Sequence, residues 1–230
     1  TAPAQPLPVV EARYELITEV ADLQVFLDIA GKQGFLAIDT ETTSLNAAAA
    51  DLVGVAMAVA PGHACYVPLR HSGATAINTN GQSGLDFEGA ENAAPVKQIP
   101  FDSAMPLLRA VFEDPSILKI GHNLKYDHAV FTKNGVNLRG IAYDTMLESY
   151  VNDSTLNRHD LNSVSERILG LVPISYEEAT QRLTEGEGFE KVRIESATYY
   201  AAEDADFALR IHNRLFGELS KAQGLKNIYA

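Results

Sequence analysis

Two carboxylates one residue apart, Asp39 and Glu41, close a short apolar run that begins at Phe35. Gly34 precedes the run and the polar Ser44 follows it, which is typical of a buried strand that opens into a loop. Alternate side chains of a strand share a face, so Asp39 and Glu41 would point the same way, with Cα atoms roughly 6–7 Å apart. Like charges that close repel each other, and a divalent cation between them would convert the repulsion into binding. Two unrelated acids in a solvated loop are the alternative, and the pair alone does not decide.

A second segment with acidic and amide side chains, residues 121–127, lies at a predicted strand-to-helix junction and carries Asn123 and Asp127. Ligands collect outside the carboxyl ends of strands in α/β sheets, so both side chains would point toward the same edge as the first two acids. Ordinary roles are also open, because Asn123 can cap the helix and Asp127 is an acid favoured near a helix start. Asp144 likewise precedes a predicted helix, and a cap is its most economical role.

The last predicted helix contains two tyrosine–acid pairs. Tyr200 and Asp204 are four residues apart and therefore share a face. Tyr199 and Glu203 have the same spacing on the adjacent stripe. Spacing cannot choose between the two pairs, and either could be a solvated surface pair. Asp206 lies on a different side of the helix and is predicted to face solvent.

The remaining pattern predicts an α/β domain with a mixed sheet flanked by helices. Hairpin strands come first, because two β-rich runs are broken by Pro61-Gly62, and alternating strands and helices follow. Strands are predicted at 14–18, along the run that carries the first two acids, and at 52–60, 64–69, 117–121 and 141–143. Helices are predicted at 19–31, from a cap at Asp102 to about 114, at 124–134, from a capping box at 145–148 onward, and at 160–169 and 195–220. Residues 71–100 are predicted to form a surface excursion, and residues 173–193 to be irregular.

Composition limits the class of protein. With 230 residues, 46% of them hydrophobic, the chain suits one α/β domain with tails. Cys65 is the single cysteine, so no intrachain disulfide is possible and a cytosolic setting is expected. No apolar run approaches the ~20 residues needed to cross a bilayer, and no secretory signal is visible, so no membrane partner is predicted. The net charge of -12 argues against a free-standing nucleic-acid binder but permits an enzyme that meets phosphate through metal ions.

Several catalytic classes have no support in the sequence. The six histidines show no metal-ligand spacing such as H-E-x-x-H, and no P-loop, G-x-S-x-G or C-x-x-C pattern occurs. A serine hydrolase, a nucleotide-switch ATPase and a zinc ribbon are therefore not indicated.

Together, the three segments resemble the 3′→5′ proofreading exonuclease domain of bacterial DNA polymerase I, within the wider DnaQ-like or DEDD exonuclease superfamily. Asp39-Thr40-Glu41 is similar to the first motif of that family. Residues 123–127 are similar to the second motif, and residues 200–204 to the third, in its tyrosine form. The connecting segments 140–150 and 158–160 also resemble the family.

The resemblance implies a division of the chain. It covers residues 14–220, which would form one exonuclease domain with an RNase H-like mixed sheet. Residues 1–13 are expected to be a linker, and residues 221–230 a truncated connection toward a covalently attached polymerase domain. A start at Thr1 rather than Met is expected of a fragment or a processed product, and the fragment is expected to be monomeric.

The resemblance also implies a role for each matched residue. Four carboxylates would hold two divalent cations, Mg²⁺ with Mn²⁺ able to substitute: Asp39, Glu41, Asp127 and Asp204. Asp39 would be shared between the two ions. Tyr200 would orient the attacking water, which favours the pair formed by Tyr200 and Asp204.

Four further residues would contact the substrate, according to the same resemblance. Leu45 would press against the terminal base. Thr42 and Asn123 would contact the terminal nucleotide, and Arg158 would contact a phosphate nearer the duplex.

The activity expected from the resemblance is hydrolysis of the 3′-terminal phosphodiester of single-stranded or frayed DNA, in the bacterial cytoplasm near the nucleoid. Two segments depart from the family pattern: 71–100 is long, and 180–188 is acidic where relatives tend to be basic and glycine-rich. The second departure bears on single-strand binding rather than on the chemistry. The alternatives are an exoribonuclease of the RNase D type, which uses the same acids and tyrosine, and a non-catalytic exonuclease fold kept as a spacer.

Overall fold

The structure, a computed structural model, describes residues 10–72, 96–181, 183, 184, 187–221, 224 and 229. Its strands are β1 (Arg13–Leu16), β2 (Phe35–Thr42), β3 (Leu52–Ala60), β4 (His63–Pro68), β5 (Leu118–Gly121) and β6 (Ile141–Asp144). Its helices are α1 (Val20–Gln33), α2 (Phe101–Phe112), α3 (Leu124–Lys133), α4 (Thr145–Asn152), α5 (Leu161–Leu169), α6 (Tyr176–Thr180) and α7 (Ile194–Leu219), with a 3₁₀ turn at Phe189–Lys191.

The described strands form one sheet of six in the order β1-β4-β3-β2-β5-β6. Strands β2, β3 and β4 form an antiparallel meander, whereas β1 with β4, β2 with β5, and β5 with β6 are parallel. The predicted mixed sheet is therefore confirmed. Because β2 and β5 are parallel neighbours, their carboxyl ends lie at the same edge of the sheet. Asp39 and Glu41 lie near the end of β2, and the segment with Asn123 and Asp127 follows β5.

The sheet has a hydrophobic core on each face. Leu36 and Ile38 of β2 belong to the cluster that includes α1, α2 and α3. Ala37, at the alternate position, belongs to the cluster formed with the alanines of α7. Asp39 and Glu41 are two and four residues after Ala37 on the same strand, so their side chains lie on the same face of the sheet as Ala37 and point toward α7.

Asp206 is fully buried, and the prediction that it faces solvent is wrong. Its carboxylate accepts hydrogen bonds from the Tyr14 hydroxyl at 2.8 Å and the Gly62 amide at 2.7 Å. Arg210, one turn further along α7, lies 3.4 Å from the same carboxylate. The helix packs along β1, β3 and β4 as well as β2, so its buried surface is wider than the single stripe that spacing suggests.

The start of α4 differs from the predicted capping box. Asp144 caps the helix, as predicted for that residue, and accepts a hydrogen bond from the Met146 amide at 2.9 Å. Glu148 turns inward, where it is fully buried with Oε1 2.7 Å from Nδ1 of His212 on α7. A local motif could not anticipate this contact, because α7 is distant in sequence.

Two other predicted boundaries also change. Pro100, not Asp102, holds the N-cap position of α2, and Asp102 lies in the first turn. The segment 173–193, predicted to be irregular, contains α6 and the 3₁₀ turn. Most of the predicted surface excursion, 73–95, lies outside the described residues. None of the helices described has both the length and the apolar character needed to span a membrane.

Candidate active site

Three acids from two elements meet at the carboxyl end of β2. Asp39 and Glu41 project from β2, and Asp204 projects from α7, with one oxygen of each within 4.8 Å of the others. Small residues permit this approach: Ala37 of β2 and Ala201 and Ala205 of α7 are fully buried in one cluster between the strand and the helix. The backbones can therefore come close enough for the carboxylates to converge.

The orientation of α7 decides which tyrosine–acid pair reaches the acids of β2. Tyr200 and Asp204 line the cavity that contains the cluster. Tyr199 is 50% exposed and packs edge-on against a ring of β1. Glu203 accepts a hydrogen bond from the Ile174 amide at 2.7 Å and does not line that cavity. The structure thus brings the first pair, and not the second, to the cluster.

The segment after β5 adds Asp127 to the same cavity. Asp127 is buried on α3, and its Oδ1 accepts a hydrogen bond from Oγ1 of Thr40 on β2 at 2.6 Å. Asn123 has a φ of 63°, a left-handed conformation that asparagine adopts more readily than most residues. Its amide donates to Asp144 at 3.1 Å, so that carboxylate holds the start of α3 as well as that of α4. The Asn123 side chain makes no capping bond and lies at the cavity wall.

Burial raises the pKa of each of the four acids at this site, Asp39, Glu41, Asp127 and Asp204. Desolvation is the largest cause for Asp39 and Glu41, whose pKa values lie well above the ordinary range, and the neighbouring acids add to it. Burial also raises the pKa of Asp127 to about 7 and that of Asp204 to about 8. Without a cation, the cluster therefore retains protons near neutral pH.

The donor set of the cluster fits a divalent cation. Oε1 of Glu41 and Oδ1 of Asp204 are buried and have no hydrogen-bond partner among the described residues. An unpaired buried carboxylate oxygen is costly, and hard cations prefer oxygen ligands. The three-acid cluster, with Asp127 beside it, is a candidate metal site built from oxygen ligands.

The acids line an open cavity of about 360 Å³. Thr42 and Asn123 line it too, and so does Leu45, which is 92% exposed. Arg158 does not line it, but its Nε lies 2.9 Å from Oδ2 of Asp160, which does. No lysine or arginine from the described part of the chain lines the cavity, so its wall is acidic.

The loop that carries Leu45 is fixed to α3 at two points. The Tyr126 hydroxyl donates to the carbonyl of Ser44 at 2.5 Å. Lys133 donates to the carbonyl of Ala50 at 2.8 Å. An exposed leucine at the tip of an unanchored loop would sample many positions, and these contacts restrict it.

An aromatic group that the sequence did not predict surrounds Tyr200. Tyr176 lines the cavity from α6, with its ring 6.5 Å from the ring of Tyr200 and 6.4 Å from that of Phe189. His71 packs behind Phe189 at 6.1 Å and donates through Nδ1 to the carbonyl of Val192 at 3.2 Å. No periodicity marks Tyr176 in the sequence, because it lies on a helix of five residues.

The metal-free protein is expected to lose stability as the pH rises from about 6.5 to about 8. The folded pKa values of Asp127 and Asp204, about 7 and about 8, exceed those of the unfolded chain, so the folded state binds more protons in this window. The free energy of unfolding then falls as pH rises. Burial lowers the pKa of His71 and His122 to about 4, so both are neutral when folded but partly protonated when unfolded near pH 6.5, and they offset part of the fall at the lower end of the window.

Thermal unfolding in a chelating buffer measures this effect. We expect a Tm lower by several degrees at the upper pH, since each kcal/mol corresponds to about 2–4 °C in a domain of this size. Excess Mg²⁺ should raise the Tm more at the upper pH than at the lower, because the cation binds deprotonated carboxylates. The double variant Asp127→Asn and Asp204→Asn is the control and should show a flatter profile. A wild-type Tm that rises across the window would contradict the assignment.

A mixed sheet with carboxylates that converge at the carboxyl end of β2, one of its two central strands, defines an α/β domain with a candidate metal site. A family model described as 3′–5′ exonuclease matches residues 14–220. The chain is 37% identical to DNA polymerase I of Pseudomonas aeruginosa, over 95% of the chain and 22% of that protein. It is 38% identical to DNA polymerase I of Rhizobium leguminosarum, over 97% of the chain and 22% of that protein. The chain therefore belongs to the 3′–5′ exonuclease family found in DNA polymerase I.

Solved structures share the fold. RNase D of Escherichia coli gives a TM-score of 0.60 at 19% identity, over 92% of this chain and 46% of that one. NrnC of Brucella melitensis, in a structure with bound Mg²⁺, gives 0.57 at 19% identity, over 96% of this chain and 89% of that one. These likenesses confirm the predicted RNase H-like arrangement. The relatives of higher identity are DNA polymerases I, so that assignment is better supported than the RNase D alternative.

Proposed function

We propose that this domain hydrolyses the 3′-terminal phosphodiester of DNA and releases a nucleoside monophosphate, as the proofreading part of a longer DNA polymerase. The observation that carries the proposal is the cluster of Asp39, Glu41 and Asp204, whose oxygens lie within 4.8 Å of one another in a member of a 3′–5′ exonuclease family. Asp127 and Tyr200 line the same cavity. Metal-dependent hydrolysis of a phosphodiester needs such ligands and a group that orients water.

The cofactors that we propose are two divalent cations, Mg²⁺ with Mn²⁺ able to substitute. When bound, they would supply a hydroxide nucleophile at neutral pH and stabilise the leaving oxygen. Asp39, Glu41 and Asp204 would hold them, Asp39 being shared, and Asp127 would complete the set. Two observations support this choice: carboxylate oxygens suit hard cations, and the structural neighbour NrnC is described with bound Mg²⁺.

Tyr200 is the residue that we assign to the attacking water. Burial and the charges of Asp204, Glu41 and Asp39 raise the pKa of the phenol, so the hydroxyl stays protonated at working pH. A protonated hydroxyl donates one hydrogen bond and accepts another, which suits it to hold a water in one orientation. The ring of Phe189, 5.8 Å away, limits the movement of the phenol.

A frayed 3′ end of single-stranded DNA is the proposed substrate. Leu45 and Tyr176 offer an apolar side chain and an aromatic ring to the terminal base, while Thr42 and Asn123 offer polar groups to the terminal nucleotide. Stacking on an aromatic ring tolerates any base, as proofreading requires. A mispaired end separates at lower cost than a paired one, so selectivity for errors would come from the DNA as well as from the cavity.

We propose that a covalently attached polymerase domain supplies most of the affinity for DNA. The chain spans 22% of the length of the DNA polymerase I of Pseudomonas aeruginosa. The net charge of -12 offers phosphate little attraction, and no cationic side chain from the described residues lines the cavity. The domain would act in one copy, as a monomer, within the bacterial cytoplasm near the nucleoid.

Digestion of matched DNA and RNA single strands, each labelled at the 5′ end, tests the proposal. With excess Mg²⁺ or Mn²⁺, we expect the DNA to shorten from its 3′ end faster than the RNA, and the reaction to stop when the metal is chelated. The variant Asp204→Asn serves as the inactive control. Faster shortening of RNA would favour an exoribonuclease instead, and DNA left intact with both metals would indicate a non-catalytic spacer.

A further inference from the structure

The face of α4 that contributes one side chain to the cavity continues past the cavity rim. Met146 lines the cavity, and Tyr150, four residues later, lies on the same face of the helix. Tyr150 is 54% exposed, so packing within the domain does not account for most of its ring. The two side chains are separated by ~6 Å along the helix axis. That distance exceeds the ~3.4 Å between stacked bases of one duplex strand, so it suits an extended strand whose bases have separated.

The ring of Tyr150 is held from one side. His159 packs against it edge-on, with centroids 5.4 Å apart and an angle of 70° between the planes. His159 is itself fixed, because its Nδ1 lies 2.8 Å from Oγ of Ser149 on α4. An aromatic side chain that is exposed and yet oriented can receive a second ring at low entropic cost.

A positively charged side chain, that of Arg158, is next to His159 in the sequence. It is largely exposed, and its Nε lies 2.9 Å from Oδ2 of Asp160 in the cavity wall. The ion pair ties the guanidinium to the rim without covering it, and arginine is well suited to phosphate. The partner of the aromatic ring, His159, and the guanidinium of Arg158 thus come from consecutive residues, beside a cavity whose own wall is acidic.

We propose that Tyr150 is a stacking platform for a nucleobase at least two positions upstream of the nucleotide being removed, next to the phosphate that Arg158 is already expected to contact. The inference rests on the proposed function and adds a subsite to it. Single-strand binding commonly combines cationic contacts to the backbone with aromatic rings under the bases. The acidic wall offers no cationic side chain from the described residues to the strand beyond the terminal nucleotide, so Tyr150 and Arg158, which lie outside that wall, would add binding energy there.

The experiment compares three variants of this chain: Tyr150→Ala, Tyr150→Phe and Tyr199→Ala. Tyr199 is a matched control because it is also half-exposed but lies on α7, where its ring packs against Tyr14 of β1. Binding of fluorescent single-stranded DNA is measured as Kd in the presence of Ca²⁺, and hydrolysis with Mg²⁺ as KM and kcat. Each measurement uses a dinucleotide and a strand of about six nucleotides.

For the longer strand, we expect Tyr150→Ala to raise Kd and KM about tenfold with kcat little changed, the size of effect that loss of one stacked base gives. With the dinucleotide, Tyr150→Ala should change Kd and KM by no more than about twofold. With the longer strand, Tyr150→Phe and Tyr199→Ala should also stay within about twofold of the wild-type values. Equal losses for both strand lengths, or none for the longer strand, would overturn the subsite. If the wild-type chain binds DNA but does not cleave it, the proposed function fails while the Kd comparison still decides the subsite.

Discussion

Replacing Asp127 with alanine is expected to lower the rate of hydrolysis by on the order of 10³-fold or more, equivalent to about 4 kcal/mol of transition-state stabilisation. Asp127 is buried in the cavity, and its charge adds to burial in raising the pKa of both Asp39 and Glu41. Its loss would leave a cation in the site with one oxygen ligand fewer, and geometry at a metal centre tolerates little error.

The same substitution should leave the metal-free domain as stable as before, or slightly more stable. Removing one carboxylate from a buried group of like charges relieves repulsion, although the hydroxyl of Thr40 loses its 2.6 Å partner. Initial rates on labelled single-stranded DNA and Tm in a chelating buffer measure the two effects. Glu203→Gln is the matched control, since Glu203 is an acid beside Asp204 that does not line the cavity. A folded Asp127→Ala protein with near-normal rate would show that Asp127 is no ligand.

Tyr200→Phe is expected to lower kcat by on the order of 10²-fold, with KM and the Mg²⁺ requirement little changed. The variant keeps the ring that packs at 5.8 Å from Phe189 and 6.5 Å from Tyr176, and it removes only the hydroxyl. The loss should therefore appear in the chemical step rather than in binding or folding.

The pH dependence separates orientation of the water from proton transfer. Burial and the nearby acids raise the pKa of Tyr200, so its hydroxyl stays protonated throughout the assay range. The fold-loss in Tyr200→Phe should consequently be the same at every pH. Tyr199→Phe provides the control, because that ring is half-exposed against β1. A loss that grows or shrinks across the pH–rate profile would instead make the phenol an acid or base.

The sequence was sufficient for the parts of the site that local pattern determines. The apolar run before Asp39 and Glu41 forms β2, and the period of two places both acids on one face, as the strand requires. The junction after β5 begins with Asn123 and places Asp127 in the first turn of α3. These features depend on residues a few positions apart, so spacing alone is informative.

Features that depend on packing between distant segments were not predictable in this way. The two tyrosine–acid pairs of α7 have the same spacing, and only the rotation of the helix on the sheet turns Tyr200 rather than Tyr199 to the acids. Asp206 is buried for the same reason, since β1 and the turn after β3 meet it from segments far away in the chain. Tyr176 reaches the cavity because a short helix docks beside the 3₁₀ turn, and its neighbours in sequence carry no trace of that contact.

The most direct test of the metal site is anomalous diffraction from crystals soaked with Mn²⁺ and a nucleoside monophosphate. We expect peaks within ~2.0–2.6 Å of carboxylate oxygens of Asp39, Glu41 and Asp204, with Asp127 on the second of two ions. Strong Mn²⁺ peaks elsewhere on the molecule, with none between β2 and α7, would contradict the assignment.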